Sequence, residues 1–200
     1  MNKSAMIEKL KDYLPEKRIK HSLNVAKAAI KISEQTGCDK EKAEIASILH
    51  DAAKYVKLAD VQSYCDKYNI VLDDMEKKST ALSHSILGAY IAKYEFGVDD
   101  EEILNAIRYH TTGKPNMTPL EETIYLSDLI EEGRNYPGVD SLRELAYSGK
   151  IDEALANLLD SSIINVLKKK AVLHLRSVEA RNYYVEKVKK MEKAASLERK

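Results

Sequence analysis

The sequence predicts an all-α, single-domain protein, and three observations carry that expectation. Apolar residues recur three, four and seven positions apart through most of the chain, the spacing that keeps them on one face of a helix. Breakers are few, seven Gly and four Pro, and they punctuate the periodic segments. No run alternates apolar and polar residues as a half-buried strand does. Two hundred residues, 44% apolar and 32% charged, are enough for one domain with a substantial core.

Taken in order, a short amphipathic helix is expected over about Lys3–Tyr13, ending near Pro15. A second spans about Glu16–Thr36, with Gly37 placed as a helix stop. A third covers about Lys40–Ala53, and a fourth about Leu58–Tyr68 after a short turn. Thr80–Tyr94 follows, stopped near Gly97; then Asp99–His110, with Asp99 or Asp100 as N-cap. Residues 111–116, TTGKPN, are loop by composition, and Pro119 suits the first turn of the helix that carries Asp128. After a second loop at Gly133–Gly138, helices are expected near Ser141–Ser148, Ile151–Lys169 and Ser177–Ala195. The domain is placed at 1–195, with 196–200 as a frayed tail.

Lys+Arg and Asp+Glu both number 32, so the formal net charge is zero and nothing argues for nucleic acid or an anionic membrane as an obligatory partner. No apolar stretch approaches the roughly 18–20 residues of a membrane span. The N-terminus is charged and lacks a secretory apolar region. Cys38 and Cys65 form neither a disulfide framework nor a thiolate cluster. A cytoplasmic location is the expectation.

The functional signal lies in the histidines. His50-Asp51 closes the apolar run Ile45–Leu49, and an adjacent imidazole and carboxylate offer unlike ligand atoms, the carboxylate able to bridge two cations. His21, His84, His110 and Asp128 also fall on or beside inward faces, near helix ends, on four further helices. A lone inward His is more often a hydrogen-bonded core residue. Four inward His and two inward Asp are costly to bury unless paired or metal-bound. Nitrogen and oxygen donors without sulfur suit iron, manganese, zinc, cobalt or nickel. His174 sits near a helix junction and is read as structural or surface, outside the metal set.

The order His21 … His50-Asp51 … Asp128, with His84 and His110 between, resembles the HD-domain metal-dependent phosphohydrolases. HSLNVA at 21–26, LHDAAK at 49–54, HSILGAYIA at 84–92, AIRYHTTGKP at 106–115 and YLSDLIEEGRNYPGV at 125–139 are similar to the YqeK-type bacterial symmetrical diadenosine tetraphosphate hydrolases. The resemblance covers residues 5–190 and departs from that branch's usual residues at Ala52, Ser85 and Ser127. It implies a helical bundle with a metal site in its core. It also implies that His21, His50, Asp51 and Asp128 hold one metal while Asp51 bridges to a second, completed by His84 and His110. Two iron ions are the implied occupants, with manganese, cobalt, nickel and zinc as alternatives. The implied reaction is symmetrical hydrolysis of diadenosine tetraphosphate to two ADP by a metal-activated hydroxide. The partner is then a small dinucleoside polyphosphate, with room left for a homodimer.

Around that set, the residues expected to act directly on the reacting phosphate are Asp51 and Lys54. Lys54 lies one helical turn from His50-Asp51, placed to contact a nonbridging phosphate oxygen. Thr111, Thr112, Gly113 and Lys114 form a hydroxyl-rich loop directly after His110 that could hold a phosphate, although a plain helix-terminal turn at Gly113 explains the same residues. Arg134 could pair with phosphate bidentately, and Arg18, one turn before His21, ranks behind it. Tyr109 and Tyr136 could stack on a base, but aromatics in helical proteins are more often core. Three rivals stand beside the hydrolase reading: another nucleotide phosphohydrolase on the same centre, a nucleotide-binding module without turnover, and a helical adaptor without metal.

Overall fold

The structure is a computed structural model that describes residues 1–198; helices are its only regular elements among those residues. In chain order they are α1 (Lys3–Leu10), α2 (Glu16–Thr36), α3 (Lys40–Leu49), α4 (Val61–Tyr68, preceded by a 3-10 turn at Leu58–Asp60), α5 (Asp74–Lys77) and α6 (Thr80–Phe96). Then come α7 (Glu101–Tyr109), α8 (Pro119–Ile130), α9 (Val139–Tyr147), α10 (Ile151–Lys168) and α11 (Leu175–Glu198). The all-α expectation holds.

Local chemistry sets most of these limits. Asp39 and Asp100 cap α3 and α7 by accepting from backbone N–H groups of the first turn. Thr118 and Glu121 form a reciprocal capping box on α8, with Pro119 in its first turn. Gly37 and Gly97 end α2 and α6 in the left-handed conformation. The structure differs from the sequence expectation in several places. Helix α3 stops at Leu49 rather than near Ala53, because Ala52 and Lys54 turn back to the carbonyls of Leu49 and Asp51 in tight turns. The one-turn helix α5, held by an Asp73–Glu76 capping box, is too short to leave a periodic signal. Gly88 lies inside α6 rather than between helices. Helix α11 continues through Ser196 to Glu198, within the segment expected to fray; residues 199 and 200 lie outside the described residues.

Helix α2 packs on α3 and α8, and α7 packs on the same two, so four helices surround a common centre. Helix α6 joins along α7. At Gly88 a Cβ would come 3.3 Å from the His50 carbonyl oxygen and 3.5 Å from Ile107, so the glycine lets α6 approach the end of α3 closely enough to bring His84 to the centre. Two apolar clusters flank it. One contains Leu49, Leu87, Ile91 and Ile107; the other contains Tyr125, Leu126, Leu155 and Leu159 and fastens α10 and α11 to α8. No helix among the described residues is long and apolar enough to cross a membrane.

Truncating either cluster tests this division. Ile91 and Leu155 are fully buried, and each alanine variant is expected to lose about 2–5 kcal/mol of unfolding free energy in denaturant titration. A loss under about 1 kcal/mol at either position would contradict the packing.

Candidate metal centre

The helix ends deliver the six expected side chains to one place. His50 caps the C-terminus of α3 and His110 that of α7; His84 lies in the second turn of α6, His21 in the second turn of α2, and Asp128 near the end of α8. His50, Asp51, His84 and His110 are at most 2% exposed. His21 and Asp128 sit at the rim, their side chains 10% and 15% exposed.

The Asp51 carboxylate divides the cluster. Its Oδ2 lies 3.4 Å from His50 Nε2 and 3.9 Å from His21 Nε2, whereas Oδ1 lies 3.3 Å from His84 Nε2 and 3.7 Å from His110 Nε2. Asp128 Oδ1 closes the first half, 3.0 Å from His21 Nε2 and 3.8 Å from His50 Nε2.

The imidazoles are oriented from behind. Nδ1 of His50 donates to the Ser47 carbonyl at 2.6 Å, that of His84 to Thr80 at 3.1 Å and that of His110 to Ile107 at 2.7 Å. His21 Nδ1 donates to Glu131 Oε1 at 3.2 Å. Each acceptor is a carbonyl or carboxylate oxygen, so the proton of each neutral ring sits on Nδ1 and the Nε2 lone pair faces the centre. His84 Nε2 and His110 Nε2 then meet at 3.2 Å with like charge density facing. His21 Nε2, His50 Nε2 and Asp51 Oδ1 are buried without a hydrogen-bond partner. Lone pairs converging in a dry interior repel one another unless a cation lies among them. The donor set therefore fits divalent metal: His21, His50 and Asp51, then His50, His110 and Asp128, then Asp51, His84 and His110 each bring three ligand atoms within 4.8 Å of one another.

Charge reinforces this arrangement. Burial opposes ionisation of Asp51, but His50, His110 and His84 outweigh it and hold the carboxyl well below its usual range. Asp128 is likewise held down against burial by His21, His50 and Arg134. Burial pushes His84 down to about 4, keeping it neutral and able to donate its lone pair.

The chain belongs to the HD-domain family. The HD domain matches residues 18–133, a span that contains all six of these side chains. Over 175 residues the chain is 37% identical to the symmetrical bis(5'-nucleosyl)-tetraphosphatase of Staphylococcus aureus, covering 87% of this chain and 90% of that one. The Bacillus subtilis protein of the same name is 38% identical over 169 residues, 84% of this chain and 90% of its own. A crystal structure from Clostridium acetobutylicum, described as a predicted HD superfamily hydrolase involved in NAD metabolism, superposes with a TM-score of 0.88 at 38% identity. It covers 94% of this chain and 98% of that one.

Of the expected phosphate-binding residues, four border the HD centre. Lys54 Nζ lies 3.3 Å from Asp51 Oδ1 and 3.0 Å from His84 Nε2. Arg18 donates to Asp51 Oδ2 at 2.9 Å, and Arg134 to Asp128 Oδ1 at 2.6 Å. Thr111 Oγ1 sits 3.3 Å from His84 Nε2 and 3.2 Å from His110 Nε2. The other three are not brought together with the histidines. Thr112 is buried and donates to the Gly113 carbonyl. Gly113, at φ +63°, turns the chain into the second apolar cluster, where a Cβ would touch Ala180, Tyr125 and Leu159. Lys114 is held by Glu121 at 2.9 Å.

Sequence reading missed Glu131, the buried acceptor for His21, although its place one helical turn after Asp128 was a usable signal. His174 stands in a separate group: its Nε2 donates to Asp73 at 2.9 Å, its Nδ1 accepts from the Arg176 N–H, and Arg176 pairs with Glu76. Both ring nitrogens are thus occupied within the protein.

His84 makes a pH test available. Its pKa lies at about 4 in the fold against an ordinary 6.5, so between those values the unfolded chain binds more protons and stability declines as pH falls. The thermal midpoint of the metal-free protein should drop between about pH 6.5 and 4.5, and His84→Asn should flatten that drop. Equal slopes for both proteins would remove His84 as its cause.

Proposed function

We propose that the chain is a metal-dependent hydrolase that cleaves diadenosine tetraphosphate symmetrically into two ADP. The observation that carries the metal chemistry is the Asp51 carboxylate, with one oxygen toward each pair of inward-facing imidazoles. The substrate follows from kinship with relatives named symmetrical bis(5'-nucleosyl)-tetraphosphatase along nearly their full length.

In the proposed centre His21, His50, Asp51 and Asp128 would hold one metal, and Asp51, His84 and His110 would hold a second. Two iron ions are the proposed occupants, with manganese, cobalt, nickel and zinc as alternatives that accept the same donors. When bound, such ions lower the pKa of a coordinated water and neutralise charge developing on phosphate. The protein's own groups then hold the substrate. Lys54, 33% exposed at its side chain, presents an ammonium to a nonbridging oxygen, and Arg18 and Arg134 stand on the opposite flank with guanidinium edges partly open. Thr111 contributes a hydroxyl beside His84 and His110. Glu131 fixes the tautomer and ring plane of His21. Thr112, Gly113 and Lys114 have no phosphate role in this scheme. A cytoplasmic location is part of the proposal, consistent with two free cysteines.

The expected products of incubating the purified protein with diadenosine tetraphosphate are ADP alone, with about two metal ions per chain by elemental analysis. AMP plus ATP would exclude symmetrical cleavage, and no turnover in metal-replete protein would leave the nucleotide-binding module as the reading. Asp51→Ala is expected to lose both metals and at least about a hundredfold of activity, the scale on which metal-site support is lost, while helical circular dichroism persists. Activity retained in that variant would sink the bridging role.

A further inference from the structure

One cleft adjoins the HD centre without belonging to it. About 530 Å3 of space opens between the segment following α8 and one face of α10, inside the roughly 300–1,000 Å3 range of small-molecule sites. Arg134 lines its inner end, and the same guanidinium donates to Asp128 Oδ1. The cleft thus begins one side chain away from the proposed metals. Leu129, Leu158, Tyr136 and Pro137 give it apolar walls, while Ser161, Ser162 and Asn165 project from α10. The smaller cleft bounded by Tyr90, Tyr94 and Arg108 shares no residue with the histidine cluster.

We infer that the larger cleft is a nucleoside subsite, taking the base and ribose of a nucleotide whose phosphates extend past Arg134 to the histidines. This rests on the phosphohydrolase reading and adds where one nucleoside end of the substrate lies. The distribution of charge selects the ligand class. Arg134 and Lys168 are the two cations lining the cleft, and the residues between them are neutral. A polyphosphate lying along the cleft would leave its middle charges without partners, whereas a nucleoside with its phosphate at the Arg134 end would not.

The walls suit a purine. The Tyr136 hydroxyl donates to the Leu129 carbonyl at 2.8 Å, which fixes the ring while leaving it half-buried as a stacking face. Ser161 Oγ already donates to the Asn157 carbonyl at 2.9 Å, so toward the cleft it is an acceptor, as a ribose hydroxyl requires. The Asn165 carboxamide pairs an acceptor with a donor, the complement of an adenine N6–H2 and N7 edge.

Ser161 is exposed on α10, so Ser161→Trp fills the cleft without disturbing the core. Calorimetric titration of the metal-loaded protein with ADP, and separately with inorganic pyrophosphate, reads the subsite directly. Base stacking of ordinary strength predicts that Ser161→Trp weakens ADP binding about tenfold or more, with pyrophosphate binding unchanged; Asn165→Leu should weaken ADP in the same sense. Wild-type affinity for ADP in Ser161→Trp, no ADP binding by the unsubstituted protein, or equal weakening of ADP and pyrophosphate would each overturn the assignment. The two proposals fail separately. A protein that binds ADP through this cleft but does not cleave diadenosine tetraphosphate keeps the subsite and loses the reaction. One that cleaves it with the same KM in Ser161→Trp keeps the reaction and loses the subsite.

Discussion

Everything in this fold answers to one buried carboxylate. Asp51 is 1% exposed and lies within 4 Å of four imidazole nitrogens. A lone ionised carboxylate in such a place is heavily penalised. His50, His110 and His84 nevertheless hold it ionised against burial, and Arg18 and Lys54 pair with its two oxygens. The same imidazoles have lone pairs turned inward by Nδ1 hydrogen bonds, so they stabilise the carboxylate fully only with cations between them. Helix packing follows from that demand. The close approach at Gly88, the early stop of α3 and the capping position of His110 each serve to bring a nitrogen within reach of Asp51.

The fold was largely legible because its punctuation is local. Pro15, Gly37, Gly97, Asp100 and Thr118 act within a turn of their own positions, and helices bounded by them fall where periodicity places them. The end of α3 was less legible, since Ala52 and Ala53 are as buried in the turn as they would be in a helix. Helix α5 was invisible because one turn cannot establish a period.

The site divides along the same line. The six inward His and Asp side chains could be recognised from their own helix faces and by resemblance, and they converge in space. The loop after His110 could not be resolved from sequence. Thr111 faces the centre, but the left-handed turn at Gly113 carries the following residues away, and Lys114 finds Glu121. Glu131 was local to Asp128 yet acts on His21, 110 residues distant, a pairing that only the packing of α2 on α8 creates. Tyr136, which the sequence leaves open between a stacking face and a core aromatic, lines the cleft with its hydroxyl reaching back to Leu129.

In the proposed centre Asp51 separates two metal positions. Anomalous X-ray scattering from crystals of the metal-loaded protein would locate both. Two peaks are expected to flank the Asp51 carboxylate, one within ligand distance of His21, His50 and Asp128 and the other within ligand distance of His84 and His110. A single peak bound by one oxygen of Asp51, or metal found instead among Asp73, Glu76 and His174, would contradict that arrangement.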